Sequence, residues 1–241
     1  MNLGTVPARV SELPGARNEE RNQRSMRNHH LAVIAILTLG VSQANALTAS
    51  YQTDFDIASG NPDGLWTYGY TTTLGGTLNL HTTTISNSQT HLWYTPGLSG
   101  DATPSNFRNV GGPVNNIQTN EAGMHTGPGG QMAVARLTSN ENTAVTIVGK
   151  FGQGDIGGVG SYILHNGVQI FGVTNSGVDE NFSLAANLAV GDTLDFVITT
   201  GDGSYAFDST PLYATVQSVP EPTTLALGGL MLAALARRRR R

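Results

Sequence analysis

Four histidines punctuate the middle of the chain: His81, His91, His125 and His165. None is spaced from another as His-x-His or His-x-x-x-His, the separations that bring two imidazoles onto one metal. His165, beside a turn, reads as a surface residue, and His125, in MHTGPGG, as one that orders a loop. No Gly-x-Ser-x-Gly elbow and no Ser-x-x-Lys supplies an activated nucleophile. Cysteine is absent, which excludes thiolate catalysis, Cys-ligated metals and disulfides.

Acids and aromatics are the stronger candidates. Asp54, Asp56 and Asp63 gather round the first turn, Asp192 and Asp195 flank a strand start, and Asp202 and Asp208 bracket GDGSYAFD. Oxygen-rich loops of this kind suit calcium, which takes several hard ligands at about 2.4 Å, and Asp202 and Asp208 are the candidates for it. Neither stretch has EF-hand spacing. Capping of nearby backbone N–H groups by the Asp side chains is the plainer reading and ranks first. A glycosidase would need two carboxylates opposed across a cleft, and acids in Gly-rich turns do not advertise one. Trp66, Tyr68 and Tyr70 alternate along one segment, and Trp93 lies in another. Such rings could form a sugar-stacking platform, or bury one strand face in a core; core packing is favoured by a modest margin. GQGDIGGVG (152–160) has the composition of a phosphate loop, but no Lys follows and no helix opens. The body is therefore expected to be non-enzymatic, with no cofactor beyond the calcium candidate.

The elements that must position these residues are strands. QMAVARLT (131–138) alternates Met132, Val134 and Arg136 against Ala133, Ala135 and Leu137. AVTIVGKF (144–151) puts Val145, Ile147, Gly149 and Phe151 on one face. Asn166-Gly167 accepts positive φ at both turn positions, so Tyr162–His165 and Val168–Phe171 form a hairpin. NFSLAANLAV (181–190), DTLDFVITT (192–200) and LYATVQ (212–217) follow at close spacing. The pattern predicts an all-β domain over 47–218, an antiparallel β-sandwich or jelly roll. Residues 95–130, thick with Gly, Pro and Asn, are expected to be long loops.

Charge is segregated along the 241 residues, so the net of −4 misleads. Residues 47–219 hold thirteen acids against three bases (Arg108, Arg136 and Lys150), a net of −10. A body this acidic argues against nucleic acid, whose phosphates need Lys and Arg in numbers. Neutral sugars, divalent cations or basic surfaces would fit it better, but the first-ranked reading is that an acidic surface keeps an exported protein soluble.

The two ends read as processing segments. Residues 26–46 combine a basic start (Arg27, His29, His30), the 11-residue apolar stretch Leu31–Val41, and the small-x-small pattern Ala44-Asn45-Ala46. That apolar stretch falls well short of the about 20 residues a membrane span needs. It predicts a signal peptide that signal peptidase cleaves after Ala46. Met26 is then the expected start, with 1–25 a mis-called upstream stretch that would be disordered. The carboxyl end, 219–241, reads VPEPTTLALGGLMLAALARRRRR. Its 12-residue apolar run, Leu225–Ala236, would give about 18 Å of helix against a hydrocarbon core of about 30 Å. Arg237, Arg238, Arg239, Arg240 and Arg241 act as a stop held on the cytoplasmic side.

Val219-Pro220-Glu221-Pro222, a short apolar helix and an Arg tip at the extreme terminus resemble the PEP-CTERM sorting signal of exported Gram-negative proteins. The same tail is sometimes labelled an ice-binding protein C-terminal domain, yet no repeating Thr ladder marks this body. The resemblance implies processing by an exosortase, transient residence in the inner membrane, and delivery to the outer surface or the exopolysaccharide matrix. A permanent single-span anchor is the second choice for the tail. The body is similar to the sandwich domains that often precede such tails, a likeness carried by NPDGLWTYGY, AVARLTS, ILHNGVQIF, GDTLDFVI and FDSTPL. A carbohydrate-binding module for exopolysaccharide, calcium-dependent or not, is the alternative role.

Overall fold

Thr, Val, Ile and aromatic residues fit a half-buried pleated surface, and the segments rich in them form two antiparallel sheets. The computed structural model describes residues 46–219. The predicted signal peptide, the Pro-Glu-Pro triplet, the C-terminal helix and the Arg tip lie outside the described residues. The first sheet holds β1 (Thr48–Ser50), β4 (Thr83–Ser86), β5 (Thr90–Tyr94), β6 (Ser105–Asn109), β7 (Ala122–His125), β9 (Thr143–Phe151), β12 (Glu180–Leu188) and β14 (Thr210–Ser218). The second holds β2 (Trp66–Thr71), β3 (Asn79–Leu80), β8 (Met132–Thr138), β10 (Val159–His165), β11 (Val168–Ser176) and β13 (Thr193–Thr200). The order is β12-β9-β14-β7-β6-β5-β4 in the first, with β1 also on β14, and β11-β10-β13-β8-β2-β3 in the second.

One core lies between the sheets. The alternation read from β8 holds: Ala133, Ala135 and Leu137 face inward, beside Trp66 and Tyr68 of β2 and Leu194, Phe196 and Ile198 of β13. Val145, Ile147 and Phe151 of β9 meet them from the other sheet with Leu212, Ala214 and Val216 of β14. Aromatic edges tie the layers together: Trp66 to Phe196 at 5.8 Å, Phe196 to Phe182 at 6.0 Å, and Phe182 to Phe151 at 5.6 Å between centroids. Such pairs add about 0.5–1.5 kcal/mol each beyond their buried area, in a chain with no disulfide to help. Val134, Leu164 and Val197 make a smaller cluster on the outer face of the second sheet, under Leu78, Met132 and Tyr162. The hairpin turn is as expected, with Asn166 at φ 50° and Gly167 at φ 78°.

Two expectations are corrected. Residues 95–130 are not only loops, because β6 and β7 lie within them and pair with each other and with β5 and β14. Strand β6, SNFRN, has one apolar side chain, and its polar ones are consumed internally. Asn109 Nδ2 donates to the carbonyls of Gly112, Ile117 and Gln118. Arg108 donates to the carbonyls of Gln52, Phe55 and Asn120. Hydropathy does not register such a strand. A single helical turn, α1 (Tyr51–Asp54), is the second surprise.

Candidate functional site

The antiparallel register sends five connections to one pole of the sandwich: 95–104, 126–131, 152–158, 177–179 and 201–209. The start of β14 lies at this pole, and the loop 152–158 runs against it. Gly152 N donates to Pro211 O (2.8 Å), Asp155 N to Ser209 O (3.0 Å) and Gly157 N to Phe207 O (3.0 Å). The glycines of GQGDIGGVG are needed for this approach. A Cβ on Gly154 would fall 2.0 Å from Ser209 O, and one on Gly157 only 2.6 Å from Phe207 O. Close packing of two chain segments explains the glycine run.

Asp208 sits under that loop with 0% of its surface exposed. Its Oδ2 accepts the Thr126 hydroxyl at 2.6 Å, while Oδ1, facing Gly157, has no partner. Burial pushes the carboxyl up to about 7; the Thr126 hydrogen bond opposes this, and the charges of Asp202 and Asp155 add to it. His125 lies nearby, its Nδ1 2.7 Å from Thr126 O and its ring edge-on to Tyr205. Burial holds that imidazole below its ordinary range, against the Thr126 carbonyl, Asp155 and Asp101. Asp155 takes a hydrogen bond from Asn115. Asp202 accepts the N–H groups of Ser204 and Gly158, in that order of importance, and both hold its carboxyl low. A shallow depression in the same pole is lined by Gln153, Asp155, Ser176, Val178 and Ser209, and outside its lining Ile156, 81% exposed, and Phe207, 57% exposed, stand on the same loops. Phe207 has φ 66°, the left-handed region that a bulky side chain rarely enters.

Most of the other acids follow the plainer reading; Asp63 does not, for its buried Oδ2 has no partner, and burial, with the charges of Asp56 and Asp54, pushes its carboxyl up. Asp54 accepts Ser50 N and Trp66 Nε1, Asp56 accepts the N–H groups of Ile57 and Ala58, and Asp192 caps Ala189 and Asn166. Asp195 is spent on Arg136, bidentate at 2.6 and 2.8 Å. Among the described residues, no three His or carboxylate side chains converge on a point where a metal could sit.

The sugar-stacking platform does not stand. Trp66, Tyr68 and Trp93 are buried in the inter-sheet core, with the Trp93 indole donating to Asp56 O at 2.8 Å. Tyr70, at the end of the row, is half-buried and stacked on His81. A strand with one face in the core turns all its alternate rings inward. Asp202 and Asp208 were named from the sequence as calcium candidates, and each has its own hydrogen-bond partners here. Thr126, Asp155 and Phe207 were not named, and the glycine run was their only sequence signal.

At the opposite pole, Leu47 O accepts Ser218 N and Ala144 O accepts Val219 N, both at 2.8 Å. The two ends of the described chain therefore leave the sandwich side by side. Of the predicted processing residues, Val219 and Ala46 are described, whereas Ala44, Pro220, Glu221, Pro222 and Arg237 to Arg241 lie outside.

These features define an antiparallel two-sheet β protein whose described residues begin and end at one pole. At that pole its tail begins, and residues 218–241 match the PEP-CTERM protein-sorting motif. No curated protein matches the chain. Among solved structures, a family 35 carbohydrate binding module from Clostridium thermocellum is similar at 13% identity over 54% of this chain and 86% of that one, with a TM-score of 0.26. A second family 35 module, from an environmental isolate, is similar at 14% identity over 45% and 80%, with a TM-score of 0.29.

Proposed function

We propose that this is an exported protein whose tail is processed by an exosortase and whose β-sandwich serves, without catalysis, at the surface or in the extracellular matrix of a Gram-negative bacterium. The sorting motif at 218–241 carries the reading. The apolar run after it is short for a permanent anchor and long enough to pause in the inner membrane before cleavage. The body adds support: most of its turn acids are occupied as caps or in an ion pair, which suits a scaffold. Replacing Pro220-Glu221-Pro222 with alanines should leave the full-length precursor in the inner membrane fraction, followed by fractionation and intact mass. Normal maturation of that variant would overturn the reading.

A second reading concerns the pole of five loops. The exposed Phe207 and Ile156 on its loops, and the unpartnered Oδ1 of Asp208 beneath them, favour a carbohydrate-binding role for this pole, with calcium as a candidate helper. A glycan array probed with the detergent-solubilised full chain, with calcium or with chelator, tests it. Silence in both conditions leaves the scaffold role alone.

A further inference from the structure

The Ala44-x-Ala46 pattern sets cleavage between Ala46 and Leu47, and the structure has a feature at that bond. Leu47 N–H donates to Glu141 Oε1 at 2.7 Å, across 94 residues of sequence. Leu47 is only 3% exposed, while Ala46 before it is exposed. Glu141 is not a stray surface acid. Its turn between β8 and β9 is fixed by the Ser139 hydroxyl, which donates to Glu141 O at 2.7 Å. Ser139 N in turn donates to Asp192 O, and Gly191 N to Ser139 O, both at 2.8 Å. Next door, Ser218 N donates to Leu47 O, and Thr48 pairs with Gln217, so β1 starts at once. The carboxylate already makes a charge-assisted bond to this amide N–H; an ammonium in the same place adds the attraction of the opposite charge.

We infer that Glu141 is the receptor for the mature amino terminus, holding the α-ammonium of Leu47 once the signal peptide is removed. Hydrolysis of the Ala46–Leu47 bond consumes one water, leaving a carboxylate on Ala46 and, with a proton, an ammonium on Leu47. The nitrogen that already donates to Glu141 becomes a cation in place. Cleavage thereby converts a neutral-donor hydrogen bond into an ion pair and clamps β1 onto β14, beside the point where the sorting tail departs. The inference rests on the signal-peptide part of the export reading and adds the residue that receives its product.

The test uses the full chain in detergent, in two forms: the exported one, and one in which Ala44→Leu with Ala46→Leu blocks cleavage. Amino-terminal sequencing of the exported form should begin at Leu47. Glu141→Gln, which keeps size and an acceptor but removes the charge, should lower Tm of the cleaved form by about 3–6 °C. The uncleaved form should change by less than half as much. Aminopeptidase should also trim Leu47 about tenfold faster in the cleaved Glu141→Gln protein than in its parent, a readout that survives any general loss of stability. A different first residue sinks the cleavage reading and this inference with it. A start at Leu47 with equal Tm losses in both forms, and unchanged trimming, overturns the receptor while leaving export intact.

Discussion

His81 illustrates how one buried side chain weakens the fold in acid. It is buried against Tyr70, its Nδ1 lies 3.2 Å from the Thr95 hydroxyl, and its Nε2 has no partner. Burial alone pushes its imidazole down to about 3. The folded value lies below the unfolded one, so the unfolded chain gains the proton first. The stability His81 contributes is therefore intact above about pH 6.5 and is lost progressively as pH falls from there toward about 3. At pH 5 the linked loss is about 2 kcal/mol. His125, also held low by burial, adds in the same direction. Asp208, whose carboxyl burial raises to about 7, works the other way over the same range, so the test is a difference: Tm of His81→Phe minus that of wild type should grow as pH falls from 6.5 to 4 and stay constant above pH 7. A parallel acid limb in wild type and variant would remove His81 from this role. Sequence placed His81 outside any metal pair, but burial of a lone histidine between a tyrosine and a loop is a tertiary fact with no local signature.

At the scale of elements, the same divide recurs. Strands β8 to β14 were legible through short apolar runs at close spacing, the alternation in β8 and β9, and the Asn166-Gly167 turn that names its own hairpin. In the front half β2 and β5 were legible through Trp66-x-Tyr68-x-Tyr70 and Trp93-Tyr94, but the rest was not, because its elements are held by side chains acting as backbone. Gln52 on α1 is the clearest case. Strands β7 and β1 both lie along β14, at Thr210–Pro211 and at Thr215–Gln217, and the gap between them is bridged by one amide. Gln52 Nε2 donates to Ala122 O and Leu212 O, each at 2.7 Å, and Oε1 accepts Ala122 N at 2.8 Å. That is a rung of the ladder supplied by a side chain. Gln52→Ala strands one buried N–H and two carbonyls, so unfolding in urea should show a loss of about 2–3 kcal/mol at an unchanged m-value. Gln52→Glu should be worse, since a carboxylate cannot donate and would face two carbonyl oxygens. Equal stability of wild type and Gln52→Ala would mean that water replaces the rung at no cost. No periodicity rule finds a glutamine used this way.

For the whole molecule, the arrangement of poles gives the best guide to use. The nine residues of β14 span about 30 Å, with Asp208 just before one end and Val219 just after the other. On the proposed reading, tail and amino terminus both leave from the pole opposite the five loops, which keeps the five-loop pole free for a ligand. That pole carries the solvent-exposed Phe207 and Ile156 and the acids Asp101, Asp155 and Asp202, with Asp208 beneath. An aromatic ring kept exposed in a left-handed backbone is strain of the kind that clusters at binding sites. The acidic balance of the body favours a neutral polymer, or one bridged by a cation, over an anionic one. On the glycan array, binding by the wild-type chain in calcium should fall about tenfold on Phe207→Ala, the loss of one aromatic contact of about 1–1.5 kcal/mol. Asp208→Asn should bring binding in calcium down to the level seen with chelator. If both variants bind as the parent does, the ligand sits elsewhere on the sandwich, and the strain at Phe207 needs another cause.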